Sequence, residues 1–249
     1  MTIFDLSLLT WIVAFFCALS VGFAKAGLPS LNILVVTILM TIFPVKASVG
    51  ILLPMLLIGD IFAVIYYRRT VVWRYLFSLL PWVLIGILLG YVVLKQVNSA
   101  QLEPIIGIIV IMMVILHVSR EKFGKKFHEL LPQSNWFTLC MGTLGGFTTM
   151  VGNAAGGVMS IYFLVKGLPK KEFIGTGAWF YLFVNIIKFP FYVHLNLIHV
   201  QSLTFNLWLA PAIVGGAFIG AKVLPHISQK VFQNLILAFS VFGGIRLLF

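Results

Sequence analysis

Three charged side chains lie well inside apolar segments of this chain: Lys25, Asp60 and Lys188. A charge held in hydrocarbon is costly unless it is paired, and such residues usually mark the pathway of an ion or a substrate. Two lysines against one carboxylate leave one net positive charge, which attracts an anion. Asp60 can either neutralise one of the lysines or carry a coupling proton. The charges therefore predict an anion site.

Each lysine has a second interpretation that involves no ligand. Long cationic side chains near helix ends can snorkel, with the stem in lipid and the charge in water. Lys25 stands beside a predicted helix break, which favours a site, and we expect it to face Thr149 and Asn153 across that site. Lys188 lies near one end of its predicted helix, so both interpretations stay open for it.

Polar residues and glycines accompany two predicted helix breaks. A helix that begins inside the membrane offers free N–H groups and the positive end of its dipole to an anion. Pro29 suits a first helical turn and Asn153 suits an N-cap. Glycines there serve either ligand approach or helix packing. The predicted substrate-binding residues are Lys25, Gly27, Ser30, Asn32, Thr148, Thr149, Asn153, Thr176 and Lys188, with Asp60 and Asn185 as coupling or charge-pairing residues.

No catalytic or metal-binding motif accompanies these residues. The sequence lacks G-x-S-x-G, H-E-x-x-H and paired catalytic carboxylates. Cys17 and Cys140 lie in apolar segments without the spacing of metal ligands, and we interpret both as core residues. We therefore predict a protein that is not an enzyme and that uses no metal and no cofactor.

Composition indicates which elements must position the charged residues. Of 249 residues, 61% are hydrophobic and 9% are charged, with a mean hydropathy of +1.10, which is too much apolar surface for a soluble domain to bury. The net charge of +11 comes from basic residues that flank apolar runs, so we expect no nucleic-acid partner. We predict an all-α polytopic membrane protein with apolar segments at 7–24, 30–43, 47–67, 74–94, 101–118, 136–151, 155–166, 172–192, 203–223 and 230–248.

The two halves of the chain repeat each other on either side of a polar, basic segment. Gly22-Phe23 aligns with Gly146-Phe147, and at a constant offset of 125 residues Asp60 aligns with Asn185. Further on, "PWVLIGILLG" at 81–90 matches "PAIVGGAFIG" at 211–220. We predict a first repeat at 1–118, a cytoplasmic basic linker at 119–135 and a second repeat at 136–249, all within one membrane domain.

Loop charges indicate how the repeats are oriented. The positive-inside rule places 12 of the 17 Lys and Arg residues in cytoplasmic loops, and both termini then lie on the outer face. The loop at 44–46 is outside, whereas its repeat equivalent at 167–171 is inside. The repeats are thus predicted to be inverted, an arrangement that many secondary transporters share.

Two of the predicted segments are too short to cross a bilayer. Segments 30–43 and 155–166 would reach only about 18–21 Å, against roughly 30 Å of hydrocarbon. Non-helical backbone at that depth requires protein or a water-filled cavity around it. We therefore predict that each repeat consists of a broken or re-entrant helical hairpin followed by three transmembrane helices.

Long motifs in both halves resemble a known family. "GFAKAGLPSLNIL" and "GILLPMLLIGDIFAVIYYRR" in the first half, and "GFTTMVGNAAGGVMSIYFLVKGLPKKEFIGTGAWF" and "VNIIKFPFY" in the second, resemble the TauE/SafE family of sulfite and organosulfonate exporters. The resemblance covers nearly the whole chain. It implies a cofactor-free permease of the bacterial inner membrane for small sulfur oxyanions or sulfonates.

Other functions compete with a sulfur-anion permease. An anion channel would use the same lysines and helix dipoles, but broken inverted hairpins favour alternating access, and a permease for a carboxylate or another anion would have the same architecture. The expected partners are a small anion and the lipid bilayer, with a proton as candidate coupling ion. An intramembrane enzyme is disfavoured by the missing motifs.

Overall fold

The computed structural model describes residues 7–29, 31–96, 101, 108, 111, 115 and 135–246. These ranges are helical and contain no strand, which confirms an all-α protein, and each predicted boundary within them is correct to within three residues. Most of the predicted segment 101–118 and the linker 119–135 lie outside the described residues. The helices are α1 Leu8–Ala26, α2 Leu31–Ile42, α3 Val45–Tyr67, α4 Trp73–Gln96, α5 Asn135–Gly152, α6 Ala155–Val165, α7 Lys170–His194, α8 Val200–Val223 and α9 Gln229–Arg246, with a 3₁₀ turn at Leu224–His226.

Helices in the described ranges have the length and apolarity of membrane spans. Five qualify: Leu8–Ala26, Lys46–Tyr67, Trp73–Gln96, Lys170–His194 and Val200–His226. Large apolar side chains cover their outer faces, as surfaces in contact with lipid require. The polytopic prediction is confirmed. The prediction that both cysteines are core residues is wrong for Cys140, which is exposed because its face of α5 points outward, whereas Cys17 is buried.

The second arm of each hairpin is short. Helix α2 has 12 residues and packs on α1, and α6 has 11 residues and packs on α5. At 1.5 Å a residue these arms reach about 18 and 17 Å, well under the roughly 30 Å of hydrocarbon. Every residue of α6 is buried, so protein surrounds this arm on all sides.

Helix α1 packs closely along α8 through glycines. A Cβ on Gly22 would lie 1.8 Å from the carbonyl oxygen of Ile213, and a Cβ on Gly216 would lie 1.9 Å from that of Leu19. Only glycine permits this approach, in which backbone touches backbone, a common way to join helices in lipid. The α1–α8 contact fixes the rotation of α1 and hence the direction in which Lys25 points.

Helix α4 packs along α5 in the same manner. A Cβ on Gly86 would lie 2.1 Å from the carbonyl oxygen of Thr143, and a Cβ on Gly146 would lie 2.1 Å from that of Val83. Helices α3 and α7 lie against each other between the two pairs. The α1–α8 and α4–α5 pairs therefore flank a central α3–α7 pair that carries the buried polar residues.

Two tyrosines hold the ends of the first hairpin arms. The hydroxyl of Tyr67, at the end of α3, donates to the carbonyl oxygen of Ala26 at 3.1 Å. The hydroxyl of Tyr192, near the end of α7, donates to that of Met150 at 2.8 Å. Each bond satisfies a carbonyl in the last turn of a helix that stops inside the protein.

Candidate functional site

A buried ion pair joins the end of α1 to the middle of α3. The Nζ atom of Lys25 lies 2.6 Å from Oδ1 of Asp60, and the two side chains are 2% and 0% exposed. The stem of the lysine crosses Gly59, where a Cβ would lie 2.9 Å from Cγ of Lys25. Lys25 therefore does not snorkel, and Asp60 neutralises it.

The amide of Asn185 extends this pair onto α7. Its Nδ2 donates to Oδ2 of Asp60 at 2.6 Å. Both carboxylate oxygens of Asp60 thus face donors, an arrangement that favours the ionised form of the acid. The bond links the two central helices at the positions that align between the two halves of the chain.

A second lysine is held by neutral oxygens. The Nζ atom of Lys188 donates to the carbonyl oxygen of Thr149 at 2.9 Å, to its Oγ1 at 2.9 Å and to Oδ1 of Asn153 at 2.6 Å. Three acceptors match the three N–H groups of an ammonium ion. Lys188 is 0% exposed, so it does not snorkel either. Within the described ranges, no carboxylate lies within ion-pair distance of it.

The end of α5 supplies part of the stabilisation of Lys188. Thr149 lies in the last turn of α5, where the helix dipole is negative and favours a cation. The expectation that Lys25 faces Thr149 and Asn153 is therefore wrong in this structure: Lys188 occupies that place, because Asp60 draws Lys25 toward α3.

Asn153 forms the break between α5 and α6. Its φ of 54° is left-handed, a conformation that asparagine tolerates better than most residues. Its Nδ2 donates to the carbonyl oxygen of Val49 at 3.0 Å, which leaves Oδ1 for Lys188. The predicted N-cap role is wrong, since Ala154 is the N-cap of α6 and no side chain caps it. The amide oxygen of Asn153 instead accepts a hydrogen bond from the buried ammonium group of Lys188.

Two predicted threonines form bonds elsewhere. The hydroxyl of Thr148 donates to the carbonyl oxygen of Leu144 in its own helix at 2.8 Å. Thr176 accepts from the backbone N–H of Val72 at 2.9 Å, and it lies nine residues, or about 13 Å, before Asn185 along α7. The structure does not bring these two hydroxyls to the lysines.

The first break contributes a packing glycine and a buried amide. A Cβ on Gly27 would lie 2.9 Å from the carbonyl oxygen of Phe23 in α1 and 3.5 Å from Cα of Gly220, so this glycine packs where α1 ends against α8. Asn32 is buried, and its Oδ1 has no hydrogen-bond partner in the described part of the chain. The predicted residue Ser30 lies outside the described residues.

Tyr181 is a further buried polar residue next to Lys25, and it is not among the site residues predicted from the sequence. This buried side chain places its ring 4.4 Å from Nζ of Lys25, and its hydroxyl has no hydrogen-bond partner among the described residues. Tyr181, Asn185 and Lys188 recur at the spacing that lines one face of a helix, so the sequence did contain a signal for it. Along α7, this face carries a hydroxyl, an amide and an ammonium group in order.

The family described as Sulfite exporter TauE/SafE matches residues 12–247. The chain belongs to the TauE/SafE family. The match confirms the resemblance over nearly the whole chain, and it makes this TauE/SafE protein a multi-pass membrane protein of a transporter family. No curated protein and no solved structure matches it.

Proposed function

We propose that this TauE/SafE protein is a secondary transporter that moves a small anion, sulfite or an organosulfonate, across the bacterial inner membrane. The anion binds between the two helix breaks, with Lys188 as its principal ligand. One observation carries the proposal: Lys188 is fully buried, yet its three acceptors are all neutral oxygens.

Coulomb attraction favours exchange of these acceptors for an anion. The present bonds join a charged donor to neutral oxygens, whereas an oxyanion would add the attraction between two opposite charges. An oxyanion that displaces Asn153 from Lys188 gives the ammonium a charged partner. The left-handed backbone of Asn153 itself offers a hinge about which its side chain can move aside.

The neighbouring groups have different roles in this proposal. Lys25 already has a carboxylate partner, so it holds the end of α1 to α3, and Asp60 is the candidate carrier of a coupling proton. The hydroxyl of Tyr181, which has no hydrogen-bond partner in the described ranges, is a second donor to the anion. Thr149 and Asn153 return to Lys188 when the site is empty.

Equivalent contacts in the two halves support an alternating-access mechanism between inverted repeats, 1–118 and 136–249, joined by the linker 119–135. Gly22 and Gly146 align between the halves, and a Cβ added to either would lie 1.8 or 2.1 Å from a backbone carbonyl oxygen of the other half. Tyr67 and Tyr192 align as well, and each holds the end of a first hairpin arm. Two similar bundles that rock about a central site would expose it to each side in turn.

Transport by reconstituted protein tests the proposal. Proteoliposomes should take up radiolabelled sulfite or methanesulfonate with saturable kinetics and should show counterflow, which an anion channel would not. Lys188→Met should abolish uptake, whereas Lys95→Met, the same change at an exposed lysine, should not. The proposal is wrong if wild type transports no sulfur anion, or if a folded Lys188→Met protein transports at the wild-type rate.

A further inference from the structure

We infer that the site selects anions that carry a single negative charge; this inference rests on the proposed function. Three charged side chains are buried at the centre of the described ranges: Lys25 and Lys188 are positive, and Asp60 is negative. The ion pair between Lys25 and Asp60 cancels two of these charges. Among the residues that the structure describes, the positive charge of Lys188 remains without a charged partner.

A single positive charge is best matched by a single negative one. With a monoanion on Lys188, the buried site carries no net charge, the least costly state in a medium of low dielectric constant. A dianion would leave an unpaired negative charge at the same depth, which is costly among apolar surroundings. A sulfonate group, which is singly charged, therefore fits this site better than sulfate does.

The neutral side chain of Asn185 helps to determine the net charge of the site. Asn185 aligns with Asp60 and donates to it, so the second half of the chain presents an amide where the first presents a carboxylate. An amide here leaves Asp60 ionised and paired with Lys25. The difference between the two halves thus sets the net charge at +1 rather than 0.

Charge-altering variants test the inference through binding to purified, full-length protein. The probes are methanesulfonate, with one negative charge, and sulfate, with two. Wild type should bind methanesulfonate at least about tenfold more tightly than sulfate, or about 1.4 kcal/mol. Asp60→Asn raises the net charge to +2 and should shift this ratio at least about tenfold toward sulfate.

The double variant Lys25→Met/Asp60→Asn is the matched control. It removes two charged side chains but keeps the net charge at +1, so the ratio should stay within about threefold of the wild-type value. Lys188→Gln also removes a charged side chain but brings the net charge to 0, so methanesulfonate binding should fall at least about tenfold. These two variants decide the question even if Asp60→Asn does not fold.

The outcomes distinguish the inference from the proposed function. If wild type binds methanesulfonate and sulfate equally, the transporter proposal stands and the inference is wrong. An unchanged ratio in folded Asp60→Asn, or a lost preference in the double variant, also overturns the inference. If wild type binds neither probe and transports no sulfur anion, the proposed function fails and the inference fails with it.

Discussion

The two buried lysines occupy unrelated positions in the two halves of the chain. Lys25 ends the first arm of a hairpin, where the second half has Thr149, and Lys188 lies on the long helix α7, where the first half has Ala63. Each lysine nevertheless joins a hairpin arm to the central helix of its own half. One of these joints is an ion pair and the other is a set of hydrogen bonds from an ammonium group to neutral oxygens, so the second is the easier to open.

The ion pair gives a stability prediction at the residue scale. Removing one partner of a buried pair leaves an uncompensated charge and costs about 3–5 kcal/mol. We therefore expect Lys25→Met to lower the unfolding temperature strongly, and Lys25→Met/Asp60→Asn to recover most of the loss. Thermal unfolding in detergent measures both. A double variant less stable than Lys25→Met would show that the pair does not act as a unit.

Tyr181 gives a second prediction at this scale. Its hydroxyl has no hydrogen-bond partner in the described ranges, so Tyr181→Phe should change stability by less than about 0.5 kcal/mol. Anion affinity should nevertheless fall about threefold to tenfold, because a donor to the ligand is lost. Tyr67→Phe is the control: its hydroxyl bonds to Ala26, so stability should fall by about 1 kcal/mol. Unchanged affinity in Tyr181→Phe would remove this hydroxyl from the site.

At the scale of helices, close contacts between backbones determine where the polar residues point. Helix α8 contains two adjacent glycines with different surroundings. A Cβ on Gly216 would lie 1.9 Å from the carbonyl oxygen of Leu19, whereas a Cβ on Gly215 would meet nothing within 4 Å. The first glycine is required by the contact with α1, and the second is not.

This difference predicts opposite effects of one substitution at neighbouring positions. Gly216→Ala should force α1 and α8 apart and cost about 1–3 kcal/mol of stability, because a backbone carbonyl cannot move aside as a flexible side chain can. Gly215→Ala should leave stability unchanged or raise it by up to about 1 kcal/mol, since alanine favours the helix. Unfolding temperatures of the two purified variants provide the comparison, and equal values would contradict the packing argument.

At the scale of the whole molecule, the proposed inversion of the repeats makes a prediction about sidedness. Lys46 and Lys171 are equivalent at the offset of 125 residues, and both are exposed. In a variant without Cys17 and Cys140, cysteines at these two positions should react with an impermeant maleimide from opposite sides of the membrane. A cysteine at position 46, and one that replaces His199 in a separate variant, should react from outside. Labelling of positions 46 and 171 from the same side would rule out inverted repeats.

Local properties of the sequence determined the helices and the presence of buried charges. Runs of apolar residues set the membrane segments, and Gly27 and Asn153 marked the breaks, because these effects act over a few neighbouring residues. The charges stood out because any charge within such a run is costly wherever its partner lies. These features can be predicted without knowledge of how the helices pack.

The tertiary structure alone decided which lysine is paired. Asp60 lies 35 residues beyond Lys25, and Thr149 lies 39 residues before Lys188. These spacings do not indicate whether Asp60 pairs with Lys25 or with Lys188. The choice depends on the rotation of α1 and α7 about their own axes. Backbone contacts at glycines, such as that of Gly22 with α8, fix the rotation of α1, and they involve residues about 190 positions apart. Such long-range contacts turn Lys25 toward Asp60 and leave Lys188 with neutral partners.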